Sequence, residues 1–217
     1  MGMTRRQFVG SGAALVWSRG RPAPLVAPRA RCSVLDLREH CGLRESVTGY
    51  RSAIASMSRV PRVPSLIVPA AVGIPPLAVR PIVTCLQIGG TVIVESGAGF
   101  ADERQFAAHR AALCDYLGVH IEPPVELWST PTALAPHRVP YVDYTWPHAA
   151  KLRDFSRVVP LERRTHAGEV IASADGLPVA LRRRTLRGTL IFLGSPLGPA
   201  LWAGDAEARR WLADALG

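Results

Sequence analysis

Two stretches of this chain carry side chains that could do chemistry. The first is Glu95-Ser96-Gly97-Ala98-Gly99, which follows the apolar run Thr91-Val92-Ile93-Val94. A hydroxyl beside a carboxylate and between glycines is raw material for acyl transfer, provided a histidine comes within hydrogen-bond reach to take the serine proton. The second is Tyr141-Val142-Asp143-Tyr144-Thr145-Trp146-Pro147-His148, the densest aromatic and polar cluster in the sequence. A hydrolase reading uses Ser96 as nucleophile and His148 as base, with Asp143 or Glu95 orienting the imidazole. A binding reading has Glu95, Ser96 and Gly97, or Asp143, Tyr144, Trp146 and His148, contact a small polar ligand or a carbohydrate. The same rings also serve as ordinary packing residues.

Metal and cofactor chemistry find no support in the spacing. Cys32, Cys41, Cys85 and Cys114 form no Cys-x-x-Cys pair. Cys85 and Cys114 fall on the apolar sides of expected helices, where a thiol acts as a small hydrophobe. Cys32 and Cys41 are candidates for a disulfide in an oxidising compartment. His109, His120, His137 and His166 stand alone and read as surface residues. The formal charge of +9 points toward nucleic acid until it is located. Arginines 5, 6, 19, 21 and 29, with no acid among them, lie in the first thirty residues and leave +4 for the rest. Arg182-Arg183-Arg184 with Arg187 lacks interleaved aromatics or a recognised module, so nucleic acid is not an expected partner.

These residues need a frame. Cys32 to Leu37 reads as a first strand. Leu43, Val47, Tyr50, Ile54 and Met57 recur at helical spacing. Ser65 to Pro69 is a short continuous apolar run, as in a buried parallel strand. Pro75-Pro76 opens a second helix, with Pro81 tolerable only in a first turn, and Gly89-Gly90 ends it before the strand Thr91 to Val94. Asp102 and Gln105 form a capping-box pattern for a third helix that Gly118 stops. Three strand–helix units in a row imply a parallel sheet with right-handed crossovers. The pattern then turns to strands at Val125 to Trp128, Glu169 to Ala172, Pro178 to Leu181 and Thr189 to Leu193, with an Asp175-Gly176 hairpin signal. A last helix from about Asp205 carries Ala208, Trp211, Leu212, Ala215 and Leu216 on one stripe.

The run Pro64 to Pro69, the helix ending Gln87-Ile88-Gly89-Gly90-Thr91, the Asp175-Gly176 turn and the closing Gly188-Thr189-Leu190-Ile191-Phe192-Leu193-Gly194 resemble the class I glutamine amidotransferase-like fold. More narrowly they resemble its beta-galactosidase trimerisation-type branch, over roughly Leu66 to Leu216. The resemblance implies an α/β, flavodoxin-like three-layer sandwich: a central, mostly parallel sheet with an antiparallel C-terminal extension. It also implies where catalysis would sit. Active amidotransferases place a cysteine on a Gly-x-Cys-x-Gly turn after the strand matching Thr91 to Val94, beside backbone donors. Here that place holds Glu95 to Gly99. Their His-Pro-Glu-like element corresponds to Gly194-Ser195-Pro196-Leu197-Gly198, which keeps only the proline. The resemblance therefore implies a domain without amidotransferase chemistry, binding a ligand or a partner protein chain in an accessory role beside glycosidases.

The beginning of the chain carries its own signal. Arg5-Arg6-Gln7 precedes the apolar stretch Val9 to Trp17, a pattern similar to a twin-arginine export signal with its basic and apolar regions. Residues 1–30 are expected to be that signal or a disordered tail, residues 31–217 the α/β domain, and the product periplasmic or extracellular. The alternative is a cytoplasmic protein with a disordered tail. No segment approaches the ~18 apolar residues of a membrane span. Replacing Arg5 and Arg6 with lysine is expected to leave the folded protein in the cytoplasm, read by fractionating expressing cells; unchanged secretion of the double variant would show the pair to be coincidental.

Overall fold

A computed structural model of the protein describes residues 31–97, 99–127, 141–153, 157–162 and 167–217. The signal-like segment 1–30, His137 and His166 lie outside the described residues. So does Trp128, at the end of the expected strand from Val125; Val125 itself makes only a single bridge to Val158.

Among the described residues the chain builds eight strands and five α-helices. They are β1 (Cys32–Val34), α1 (Arg44–Ser56), β2 (Ser65–Ala71), α2 (Pro76–Gln87), β3 (Thr91–Ser96), α3 (Glu103–Leu117), β4 (Tyr141–Tyr144), β5 (Ala150–Arg153), β6 (Glu169–Ala174), β7 (Leu177–Arg184), β8 (Thr189–Leu193), α4 (Gly198–Trp202) and α5 (Ala206–Leu216). These eight strands form one sheet, in the order β1-β2-β3-β8-β7-β6-β4-β5. β1, β2, β3 and β8 run parallel. β7, β6, β4 and β5 continue from β8 with each pair antiparallel. The antiparallel strands thus precede β8 in the chain, and β8 returns to the middle of the sheet.

Alternation along the parallel strands splits the core. Ile67, Ile93, Ile191 and Leu193 face α1, α4 and α5, packing with Tyr50, Leu201 and Trp211. Leu66, Val68, Val92, Val94, Leu190 and Phe192 face α2 and α3, packing with Ile82 and Leu113. Burial on both faces is why these strands read as unbroken apolar runs.

Local chemistry sets the boundaries. Asp102 accepts from Gln105 N–H at 2.8 Å, and Gln105 reaches back to Ala101 N–H at 2.7 Å, so α3 starts where the capping pattern says. Gly118 closes it at φ +58°. Asp175 and Gly176 both take positive φ, as a two-residue hairpin turn between β6 and β7 demands.

Three expectations change. Pro81 sits inside α2 rather than in its first turn, which leaves the Leu77 carbonyl without its helical donor; Leu77 is 91% exposed, where solvent can serve it. The aromatic and polar cluster 141–148, to which the sequence assigns no strand, begins with β4, hydrogen-bonded on both sides. Cys32 and Cys41 are free thiols rather than a disulfide: Cys32 is buried in β1, and Cys41 donates to Leu43 O.

The crossing of α1 and α4 is close. A side chain at Gly49 would meet the Gly198 carbonyl at 2.3 Å. That approach carries Tyr50, the next residue of α1, and the start of α4 to the carboxyl end of β3.

Candidate functional site

β3 ends in Glu95 and Ser96, both fully buried. Consecutive strand residues point to opposite faces. Glu95 follows Ile93 toward α1 and α4, while Ser96 follows Val94 toward α3.

On the first face the Glu95 carboxylate gathers donors from three other elements. Its Oε1 accepts from Tyr50 Oη–H at 2.6 Å, Leu197 N–H at 2.6 Å and Gly198 N–H at 3.0 Å. Its Oε2 accepts from Ala70 N–H at 3.0 Å. Ala70 holds φ +42°, where β2 slips register between Val68 and Ala71, and that bulge turns its N–H toward Glu95. Burial pushes the Glu95 carboxyl up to about 7, against the four donors that pull it down. Burial and the Glu95 charge push the Tyr50 hydroxyl well above its ordinary value.

On the other face Ser96 Oγ lies 3.1 Å from His109 Nε2. His109 is fully buried on α3, and Phe100 packs against its ring with centroids 5.4 Å apart. Burial lowers the imidazole to about 4, so it is neutral near pH 7. Its Nδ1 has no hydrogen-bond partner among the described residues. Among the described residues the pair therefore has a hydroxyl and a neutral imidazole but no carboxylate behind the ring. His109 had read as a surface residue; the stripe Phe106, His109, Leu113, Leu117 at spacings of three, four and four places it on the buried face of α3.

Gly97, next to Ser96, packs rather than lining an open loop, whereas Gly99 is exposed at φ +99° with open space around it. Gly97 N–H donates to Ala71 O at 2.6 Å, and a side chain there would meet Ala70 O at 2.6 Å. That N–H is therefore spent and cannot serve an oxyanion.

The second sequence candidate lies elsewhere. In the sheet order, β4 stands four strand spacings from β3, each spacing about 4.8 Å. Its residues also alternate. Asp143 is exposed and lies 3.3 Å from Lys151 Nζ on β5. Tyr144 is buried, with its ring centroid 4.7 Å from that of Trp211. Trp146 packs edge-on against Trp211, accepts from Trp211 Nε1–H at 2.9 Å through its carbonyl, and lies under the Arg182 guanidinium at 4.5 Å. His148 Nε2 is 3.0 Å from Glu207 Oε1; its Nδ1 is also 3.0 Å from Asp214 Oδ2, but without hydrogen-bond alignment. Tyr144, Trp146 and His148 thus fasten α5 to the sheet. The imidazole that meets Ser96 is that of His109, not His148, and neither Asp143 nor Glu95 stands behind it. Among the described residues no group of three or more His, Cys, Asp or Glu side chains is placed to hold a metal ion.

No family model matches the chain, and no curated protein matches it. Solved structures do. The beta-galactosidase from Rahnella sp. R3 aligns over 86% of this chain and 30% of its own at TM-score 0.53 and 15% identity. The beta-galactosidase from Bacillus circulans sp. alkalophilus aligns over 83% of this chain and 31% of its own at TM-score 0.52 and 16% identity. At such identities the likeness is one of fold. The chain spans about a third of the length of these neighbours.

The two buried groups have opposite proton linkage. Glu95, raised in the fold, keeps a proton that the unfolded chain releases near 4.5, so it costs stability as pH rises toward about 7. His109, lowered in the fold, stays neutral where the unfolded chain protonates near 6.5, so it costs stability as pH falls toward about 4. Between about pH 4.5 and 6.5 their slopes oppose, each on the order of 1.4 kcal/mol per pH unit at most. Urea unfolding across that window should show the stability of Glu95→Gln climbing with pH relative to wild type. His109→Asn should fall with pH relative to wild type. Parallel profiles for all three proteins would overturn both assignments.

Proposed function

We propose that this chain is a noncatalytic member of the glutamine amidotransferase-like, flavodoxin-like folds. In this reading it is exported by the twin-arginine route and works as an accessory domain in carbohydrate processing, binding a ligand or a partner protein chain. One observation carries the noncatalytic part. The carboxyl end of β3, where open α/β sheets place ligands, is filled by its own structure. Glu95 and Ser96 are fully buried, and four donors and one imidazole already engage them. The fold shared with segments of two beta-galactosidases supports the carbohydrate context, as does the resemblance carried by Gly89-Gly90-Thr91 and the Asp175-Gly176 turn. The export part rests on Arg5 and Arg6 alone.

The Ser96–His109 contact favours a second reading, a serine hydrolase with His109 in the place first given to His148. The pair has the 3.1 Å spacing of a nucleophile and base. Among the described residues it has no orienting acid, its hydroxyl is buried, and the neighbouring Gly97 N–H is taken. The noncatalytic reading is the better supported for those reasons.

The test compares wild type with Ser96→Ala. Purified wild type should release no ammonia from glutamine and no nitrophenol from nitrophenyl esters or glycosides above the buffer rate, and a fluorophosphonate probe should leave Ser96 unlabelled. Ser96→Ala should cost about 1–3 kcal/mol of stability, because it takes the partner from a buried imidazole nitrogen. Turnover or labelling by wild type that is lost in Ser96→Ala would defeat the noncatalytic reading and establish the hydrolase.

A further inference from the structure

The described surface has a built concavity at the opposite end of the parallel strands from Ser96. It lies between the last turns of α2 and α3 and the β7–β8 turn, and its volume is about 590 Å³. That is within the usual range of small-molecule sites, about 300–1,000 Å³. Its walls are apolar: Val83 and Leu86 from α2, Tyr116 from α3, and Leu186 from the turn. Leu186 is fully exposed and Tyr116 is 46% exposed, so neither is spent on the core.

The turn that presents Leu186 is fixed. Thr185 Oγ1 donates to Gly188 O at 3.0 Å and accepts from Gly188 N–H at 2.9 Å, and Thr185 N–H donates to the same carbonyl at 2.9 Å. A leucine held in solvent by a locked turn arrives pre-organised, so covering it costs little ordering entropy.

The charged part of the wall is cationic, beside the neutral Gln87 and Thr185. Arg183 and Arg187 line the cavity, and no carboxylate does. Arg183 points inward, toward the end of α3. Its Nη1 donates to Gly118 O at 3.0 Å and its Nη2 to Leu117 O, so it caps the negative end of α3. Those bonds use two of its five N–H donors. Among the described residues, no ion pair involves Arg183 or Arg187. Arg182, by contrast, pairs with Glu169 at 2.6 Å.

We propose that this cavity binds a small amphipathic carboxylate, with its apolar body against Leu86, Tyr116 and Leu186 and its carboxylate at Arg187 and the unused edge of Arg183. Charge complementarity decides the occupant. A neutral apolar ligand would leave two guanidinium groups unpaired at its edge. A second copy of the chain docked through the same face would set Arg183 and Arg187 against their own images, with no acid to separate them. A carboxylate meets the guanidinium fork in its preferred bidentate geometry. The inference is independent of the events at Ser96.

The test uses the full-length chain and two probes of matched shape, 4-phenylbutanoate and its neutral amide, in titration calorimetry at physiological salt. The acid should bind saturably with Kd at or below about 1 mM, and the amide at least about tenfold more weakly. Arg187→Gln and Leu186→Ser, both changed at the exposed turn, should each weaken the acid about tenfold without moving the thermal unfolding midpoint. Equal binding of acid and amide, no saturable binding of the acid, or acid binding indifferent to Arg187→Gln would overturn the proposal. So would binding of an acidic, aromatic peptide by a protein that ignores the small acid, which would make the face a protein-docking surface.

Discussion

A single carboxylate on a strand buried along its whole length shapes the top of this molecule. Glu95 is out of water, and a buried acid without partners would cost several kcal/mol. The protein supplies four donors from elements far apart in sequence: Tyr50 of α1, Ala70 in the β2 bulge, and Leu197 and Gly198 at the start of α4. Each of those elements pays a local condition to arrive. β2 slips register and holds Ala70 at positive φ, and α1 and α4 approach so closely that Gly49 has no room for a side chain. The node is therefore a geometric constraint on the bulge, the helix crossing and the turn after β8.

Strand alternation decides the chemistry that remains. Because Glu95 and Ser96 face opposite sides of β3, the carboxylate cannot orient a base for the serine. The same rule separates exposed Asp143 from buried Tyr144 on β4. Both clusters that look like sites in one dimension are thus divided between two environments by the pleat. What the fold gains is attachment: α1 and α4 to the parallel strands through Glu95, α3 to β3 through His109, and α5 to the antiparallel strands through Trp211 and His148.

The frame was legible because it is local. Apolar runs at Leu66 to Val68 and Val92 to Val94, the Asp102 cap, Gly118 and Asp175-Gly176 each announce a strand, a start, a stop or a turn by short-range chemistry. Strand β4 was missed because Tyr141 to Tyr144 mixes aromatic and acidic residues, which read as ligand chemistry rather than as half-buried alternation, and β5 because four residues, Ala150 to Arg153, give too short an alternation to stand out. His109 was readable in principle from its place on the α3 stripe. The partners of Glu95 were not, since they lie 25 to 103 residues away along the chain and are joined to it only by the folded topology. The cation-lined cavity is illegible for the same reason, being assembled from α2, α3 and the β7–β8 turn.

The carboxyl end of β3 is a closed structural node. Amide hydrogen exchange tests it at the atoms concerned. The N–H groups of Ala70, Leu197 and Gly198 donate to a buried carboxylate, so they should exchange as slowly as core amides of β3 such as that of Ile93, which opens only with the whole domain. Exchange of those three amides at the fast rate of a solvated loop, while Ile93 stays protected, would show that the end of β3 opens in the native state and is not a closed node.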